Sequence, residues 1–478
     1  MIDTKALREK ILDLAMRGKL VPQDPNDEPA SELLKRIKAE KEELIKQKKI
    51  KRDKNETEIF RGDDGLHYEK FADGTTEKIA IPFQIPENWA WTNLGTIFQL
   101  KAGKFIKASD IHTLNNGLLF PVFGGNGLRG YAEDYNHDGN FPIIGQQGAL
   151  AGNINFATGK FYAPEHAVVV TCYSEINVKW AFEILLALKL EQYQTGTAQP
   201  GLSVTNLNRV LIPLPTPSEQ KRIVNELISG NDLINKIEDE QQSLQKLATQ
   251  LKQKVLDIAM QGKLVPQDPN DEPASGLIEK IRAEKQRLFE EGRIKKKDLV
   301  ETEIVKGDDN AYYEKLPVGW VKTSLGNIVY LLSGRDLATA DYSDSLTTGI
   351  PYITGASNFN NGIIQTSRFT EVPQVISEKD DLLITVKGTV GELAFNPFNE
   401  AHIARQIMAA RPYQLDKEFL MVYLESRIDN MKSQAQSMIP GISRDVLLKM
   451  PVDLPPKNEQ HRITSQIRKT LQEFDTIC

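Results

Sequence analysis

The string GKLVPQDPNDEPAS occurs twice, from Gly18 to Ser31 and from Gly262 to Ser275, an offset of 244 in a chain of 478 residues. The molecule is therefore built twice. The match extends on both sides: LDLAM at Leu12 to Met16 returns as LDIAM at Leu256 to Met260, and ETEI at Glu56 returns at Glu301. A second pair of blocks closes each half. PGLS from Pro200 and PTPSEQKRI from Pro215 to Ile223 correspond to PGIS from Pro440 and PPKNEQHRI from Pro455 to Ile463, at an offset of 240. Periods this long mean duplicated domains, not a solenoid of short units. Between the blocks the two halves diverge, so one scaffold carries two different inserts.

The chain is 26% charged, has no apolar run long enough to span a bilayer and does not open on a signal-peptide pattern, which suits a soluble cytoplasmic protein. Cys172 and Cys478 are the only cysteines, too few for a disulfide framework or a zinc site. Several cores can be buried at this length, enough for two globular domains and their connectors.

Beyond Ile223 apolar positions recur in alternating steps of four and three: Leu227, Gly230, Ile234, Ile237, Gln241, Leu244, Ala248, Leu251, Val255 and Ile258. That spacing predicts a coiled-coil seam, against the plainer alternative of a core helix in a larger bundle. Gly230 and Gln241 are its weak members, and Gly230 marks the place for a kink, since glycine costs about 1 kcal/mol relative to alanine inside a helix. Subtracting 244 maps Leu251, Val255 and Ile258 onto Leu7, Ile11 and Leu14. Adding 240 maps Ile223, Leu227, Ile234 and Ile237 onto Ile463, Ile467, Phe474 and Ile477. The two terminal helices thus reconstitute the central one, and are expected to lie together, antiparallel against it, about a pseudo-twofold axis.

After each long repeat comes a Lys-rich amphipathic stretch, Glu32 to Lys54 and Gly276 to Asp298, with Leu34, Ile37, Leu44 and Leu277, Ile281, Leu288 on one side. Ser31 and Ser275 are candidate helix caps. Basic runs such as Lys46 to Lys54 either touch phosphate or form a solvated face.

The inserts open with similar phrases, Trp89 before Leu94-Gly95 and Trp320 before Leu325-Gly326. Strand-like apolar runs broken by Gly and Asn follow: Phe120 to Gly125, Phe141 to Gly148, Ala167 to Tyr173, Ile350 to Gly355 and Asp381 to Gly391. Amphipathic helical segments come next, near Val178 to Gln194 and Lys417 to Gln434.

Paired divergent domains that open with Trp and Leu-Gly, close with Pro-x-x-x-Glu-Gln-x-Arg-Ile and are joined by repeated helices resemble the DNA specificity subunit of type I restriction-modification enzymes. The resemblance covers essentially the whole chain. It implies an α+β protein: two mixed α/β target recognition domains separated by long antiparallel coiled-coil helices, with a pseudo-twofold internal repeat. The corresponding segments are spacer helices at 1–21, 218–261 and 457–478, connectors at 22–88 and 262–319, and recognition domains at 89–217 and 320–456. It further implies that each domain reads one half of a split, asymmetric site in double-stranded DNA. The helices would set the spacing and dock two copies of the modification (methyltransferase) subunit. Cofactors belong to partners in that scheme: none in this chain, S-adenosylmethionine in the methyltransferase, ATP and Mg in a restriction (motor and nuclease) subunit. The assembled complex would be a DNA adenine methyltransferase and ATP-dependent endonuclease.

Two domains related by a pseudo-twofold would meet inverted half-sites on a duplex, and unlike domains require unlike halves. No catalytic motif appears: Leu454-Pro-Pro and Asn396-Pro-Phe lack an amino-methyltransferase pattern, and there is no GxxxxGK[ST] loop. Asp380, Asp381 and Lys387 lack the carboxylate a metal nuclease needs, since Thr385 stands in its place; the acids read as exposed turn residues. His402 with Arg405, and Ser443 with Arg444, lack a third partner for a nucleophilic triad.

Base readout in the major groove needs Arg or Lys for guanine and Asn or Gln for adenine. Candidates in the first insert are Lys104, Lys107, Asn126, Arg129, Tyr131, Gln146, Gln147 and Asn153, around the turns Gly124 to Gly127 and Gly145 to Gly148. In the second they are Arg335, Asn358, Asn360, Arg368, Lys387, Thr389, Arg405, Gln406 and Arg444, with Gly388 to Gly391 as the matching turn. The formal net charge of -6 leaves little surplus for phosphate neutralisation, so the lone chain is expected to bind DNA weakly. A non-DNA adaptor with two ligand-binding heads on a coiled coil explains the duplication equally well, but not why the heads diverge while the scaffold barely changes.

Overall fold

A computed structural model describes residues 1–53, 56–115, 117–148, 150–173, 175–195, 201–302, 316–344, 348–360, 362–434 and 441–477, without the side chains of 429, 430, 433, 434 and 475–477. Lys54, Pro200, Glu303, Ile304 and Pro440, and the Ile477 side chain, lie outside that set. The chain divides into two compact units, Met1–Gln241 and Gln242–Cys478. The boundary falls inside a single 44-residue helix, Pro217–Met260. That helix is the last element of one repeat fused to the first element of the next.

In the first unit the N-terminal helix, Thr4–Met16, is capped by Asp3, whose carboxylate accepts from the Ala6 amide at 2.9 Å. It ends in a left-handed glycine, Gly18 (φ 65°), with the Lys19 amide reaching the Leu14 carbonyl at 2.9 Å. Gly262 (φ 66°) ends the central helix the same way, Lys263 reaching Ile258 at 3.0 Å. Thus the opening Gly-Lys of each repeat is a helix stop. A Cβ on Gly18 would come within 2.6 Å of the Pro86 ring, so the turn also closes against the entry to the insert.

The N-terminal helix runs antiparallel to the front of the central helix. Ile2 pairs with Gln241, and Arg8 donates to Asn231 (3.1 Å), Asn235 (2.8 Å) and Glu238 (2.9 Å). Ile11 reaches Gly230, where an added Cβ would meet its Cδ1 at 3.2 Å. The central helix therefore runs through Gly230 unbroken, and the glycine lets the neighbouring helix approach. Burial along the seam is uneven: Ile223, Leu227, Ile234, Leu256 and Ala259 are buried, whereas Leu244 and Leu251 are exposed. In the second unit Leu256 and Ala259 share a core with Ile463, Ile467 and Leu471 of the C-terminal helix, Lys457–Ile477. Each terminal helix serves its own repeat's core, which covers the ends of the seam and leaves its middle exposed.

The Lys-rich helices span Ala30–Lys46 and Ala274–Glu290. Ser31 and Ser275 fall in their first turns and do not cap them. The first amides are taken by backbone instead: Ala30 donates to Asn88 at 2.9 Å, and Ala274 to Gly319 at 2.8 Å. Docking onto the phrase that opens each insert replaces the side-chain cap. Nor are all the lysines solvated. Lys41 and Lys285 are buried, donating to the Gly95 (3.0 Å) and Gly326 (3.4 Å) carbonyls, each over a tyrosine ring, Tyr173 or Tyr413.

The repeated Glu-Gln-x-Arg-Ile block clamps insert to scaffold identically in both units. Glu219 accepts from the Trp89 indole at 2.6 Å and from Gln23; Glu459 accepts from Trp320 at 2.9 Å and Gln267 at 3.0 Å. Gln220 and Gln460 hold the Asn177 (2.9 Å) and Asp416 (3.1 Å) amides. Arg222 pairs with Asp27 at 2.5 Å and Arg462 with Asp271 at 2.6 Å, tying the closing block to the long repeat. Burial pushes the Glu219 carboxyl up, against the hydrogen bonds from Trp89 and Gln23. Asp27 and Asp271 are held below the ordinary value by their arginines.

Each insert is mixed α and β. In the first, a four-stranded antiparallel sheet runs Phe98–Ala102, Ala167–Cys172, His137–Gly145, Ile154–Phe161, followed by the helix Val178–Ala187. In the second, Val329–Ser333, Ile407–Pro412, Leu382–Thr385 and Leu393–Phe395 repeat that order, followed by the helix Lys417–Gln434. The second insert adds the sheet Phe369–Thr370, Ile350–Ile353, Glu400–Ile403, Ile376–Glu378. Here Asp381 is no exposed turn acid. It is buried, bound twice by Arg411 (2.7 and 2.8 Å) and by the Ser377 hydroxyl (3.1 Å) and Glu378 amide (2.8 Å), because it joins the two sheets. Asp380 is the turn residue, left-handed at φ 69° and paired with Lys417 at 2.7 Å.

Candidate nucleic-acid interface

Antiparallel order sends several chain segments out of one end of each four-stranded sheet. In the first unit these are the loops 103–107, 146–153 and 162–166, joined by Gly201 and Leu202. Their backbones bond to one another: Gly103 to Ala167 (2.9 Å), Lys104 to Ala163 (3.0 Å), Gln146 to His166 (2.9 Å) and Leu202 to Gln146 (2.9 Å). The second unit repeats the same four bonds, Gly334 to Ile407 (3.0 Å), Arg335 to Ile403 (2.9 Å), Val386 to Gln406 (2.8 Å) and Ile442 to Val386 (2.8 Å). A Cβ on Gly103 or Gly334 would lie 2.5 or 2.6 Å from a carbonyl carbon, of Ala163 or Ala404, so glycine is required where the first loop crosses the third.

Most of the expected residues gather on these rims. Lys104, Lys107, Gln147 and Asn153 are exposed on the first, and Gln146 is half-buried beneath them. Asn126 stands exposed at the tip of the hairpin Phe120–Gly124 and Gly127–Ala132, whose Gly125 backs onto Gly145. Arg129 is exposed further along that hairpin, and Tyr131 is half-buried, its backbone paired with His112. On the second rim Arg335, Lys387, Thr389 and Arg405 are exposed and Gln406 is half-buried; Arg405 pairs with Asp336 at 2.7 Å. Asn360 is exposed on a short ribbon next to the rim.

Three expected residues are spent on the fold. The Asn358 amide accepts from Thr354 and Gly355 and donates to Gln365 at 2.8 Å, making its own turn. Arg368 binds Asp344 at 3.2 Å and lies over Tyr342. Arg444 donates to the Leu331 carbonyl and lies 3.8 Å from Asp298. His402 is buried, its two ring nitrogens beside the Arg335 and Val375 carbonyls at 2.9 Å; burial pushes its pKa down, against those two bonds. It supports the Arg335 loop from beneath.

The rim also holds Glu165 and His166, which sequence reasoning missed. They occupy the places of Arg405 and Gln406. The signal was present, since each pair directly precedes a core strand at the offset of 240.

A sequence model described as the type I restriction modification DNA specificity domain matches twice, at residues 86–248 and 317–477. The chain belongs to this family of type I DNA specificity subunits. As a specificity subunit it is similar to the type I restriction enzyme EcoAI specificity subunit of Escherichia coli, 28% identical over 99% of this chain and 90% of that protein. It is also similar to the EcoprrI specificity subunit of Escherichia coli, 43% identical over 30% of this chain and 36% of that one. A solved chain from "Structural basis underlying complex assembly and conformational transition of the type I R-M system" shares the fold at a TM-score of 0.52, 18% identical over 83% of this chain and 93% of that one. The specificity subunit has two recognition domains and is the non-catalytic member of its class. Among its described residues no helix is long and apolar enough to cross a membrane.

Proposed function

We propose that each recognition domain reads one half of a split, asymmetric site in double-stranded DNA through the rim at the end of its sheet. The observation that supports this most directly is the pair of rims: one backbone, hydrogen-bonded alike, presenting different exposed side chains. A duplex offers the same backbone at both half-sites and different base edges, which is what such a pair would meet. The exposed members without a side-chain partner among the described residues carry the reading: Lys104, Lys107, Asn126, Arg129, Gln147 and Asn153 in one domain, Arg335, Asn360, Lys387 and Thr389 in the other.

In this reading the recognition domains are 89–217 and 320–456, and the helices at 1–21, 218–261 and 457–478 form the spacer. The spacer fixes how many base pairs stay unread, and the duplicated scaffold docks two copies of the methyltransferase subunit. That subunit supplies S-adenosylmethionine and the adenine-methylating chemistry; a restriction subunit supplies ATP, Mg and cleavage. The complex works in the cytoplasm. With a formal net charge of -6, the chain leaves phosphate neutralisation to its partners and binds DNA weakly alone.

The test is to express the chain with its cognate methyltransferase and map methylated motifs by single-molecule sequencing. A two-part motif is expected, one half of which changes when residues 89–217 are exchanged for those of a relative, and the other when 320–456 are. An unbroken motif, or one in which both halves respond to one exchange, refutes the reading.

A further inference from the structure

Gln147 and Lys387 occupy the same place in the two domains. Each follows a residue whose amide and carbonyl are both bonded across the rim, Gln146 or Val386, and each bridges to the closing segment, Gln147 to Gly201 and Lys387 to Gly441. Each precedes a left-handed glycine, Gly148 (φ 84°) or Gly388 (φ 76°), where an added Cβ would meet nothing within 4 Å. Among the described residues, the backbone is therefore fixed on one side and open on the other. Both side chains are exposed, and among the described residues neither makes a side-chain hydrogen bond or ion pair, unlike Arg405, Arg368 or Arg444.

A phosphate contact rewards the same cation at both places, because the phosphate is the same at both half-sites. An amide in one domain and an ammonium in the other is the pattern rewarded by a partner that changes chemically between sites, and in a duplex that partner is a base edge. A glutamine amide matches the N6 donor and N7 acceptor of adenine, while a lysine ammonium can only donate, to the O6 and N7 acceptors of guanine.

Resting on the two-domain reading above, we propose that this rim position is a specificity-determining position in both domains. Gln147 selects an A·T pair in one half-site and Lys387 a G·C pair in the other.

The experiment exchanges the two residues in the full chain, co-expressed with the methyltransferase, with motif mapping as the readout. Gln147→Lys is expected to turn one A·T position of one half into G·C and leave the other half unchanged. Lys387→Gln is expected to do the converse in the other half. Methylation of the parental motif should fall by roughly five- to 150-fold in each, the discrimination of one good base contact. An unchanged motif methylated less efficiently in both variants overturns the proposal, since that is how a phosphate or packing contact responds. Should an exchange abolish methylation, Gln147→Ala and Lys387→Ala decide: relaxation at a single position supports the proposal, and loss of all methylation by an assembled complex overturns it. A parental motif that is not two-part refutes the two-domain reading itself, whereas a two-part motif that ignores the exchanges refutes only this inference.

Discussion

The clamp between Trp89 and Glu219 permits a quantitative test of how the inserts are held. Glu219 is fully buried and accepts from the Trp89 indole at 2.6 Å and from the Gln23 amide. Truncation to alanine strands the buried Trp89 indole donor at about 1–3 kcal/mol, whereas the exposed Gln23 amide can turn to water. Against that stands the cost of burying the carboxylate, visible as its raised pKa. The net expectation for Glu219→Ala is a loss of about 1–3 kcal/mol. A double-mutant cycle isolates the bond itself: Trp89→Phe, Glu219→Gln and the pair should give a coupling of about 1.5–3 kcal/mol, the range for a hydrogen bond to a charged acceptor. Urea unfolding followed by circular dichroism supplies the numbers, provided the slope is unchanged. Glu459 with Trp320 and Gln267 repeats the geometry and serves as an internal control. Additivity within about 0.5 kcal/mol in both repeats would refute the reasoning.

Replacing Gly18 or Gly262 by alanine forces a Cβ into the left-handed region and against the proline ring behind it; each should cost more than about 1 kcal/mol, read as a lowered urea midpoint. Arg411→Ala leaves Asp381 buried without its cation, a loss of about 3–5 kcal/mol that should appear in thermal unfolding, whereas Arg405→Ala on the exposed rim should change stability by less than about 1 kcal/mol. Asp27 and Asp271 are held below 3.8 by their arginines, so their pairs stabilise the fold above that pH and lose the contribution as pH falls through the lowered values. The Asp27→Asn, Asp271→Asn double variant should melt lower than the parent at pH 7, with the gap closing as the pH falls below 3.8 through the lowered values. Glu219 has the opposite sign: its raised value means that protonation favours the folded state, so at pH 7 it weighs against stability and the penalty eases as pH falls toward 4.5.

Much of the architecture was legible because duplication is written in the text. The offsets of 244 and 240 located both scaffold copies and assigned each terminal helix to half of the central one. A helix expected near Lys417 to Gln434 is present over Lys417–Gln434, while the one expected near Val178 to Gln194 ends at Ala187 and gives way to a short 3-10 turn. Other expectations failed where a distant segment supplied what local rules assumed to be missing. Ser31 and Ser275 look like caps until the Asn88 and Gly319 carbonyls take the first helical amides. Gly230 looks like a break until Ile11 is placed against it. Asp381 looks like a turn acid until Arg411, thirty positions away, closes on it.

The candidate site divides along the same line. Amino-acid type alone nominated rim residues such as Lys104, Gln147, Arg335 and Lys387, because amides and cations are what base edges require. It also nominated Asn358, Arg368 and Arg444, and could not see that each is committed to a turn, a tyrosine or a carbonyl. Nor could it pair Gln147 with Lys387 or bring in Glu165 and His166, because that correspondence rests on backbone bonds between segments far apart in the chain. Order along the chain determined that there are two readers on one repeated scaffold. Only tertiary hydrogen bonding decided which side chains face outward from the same place in each, because exposure and register depend on neighbours that sequence order does not adjoin.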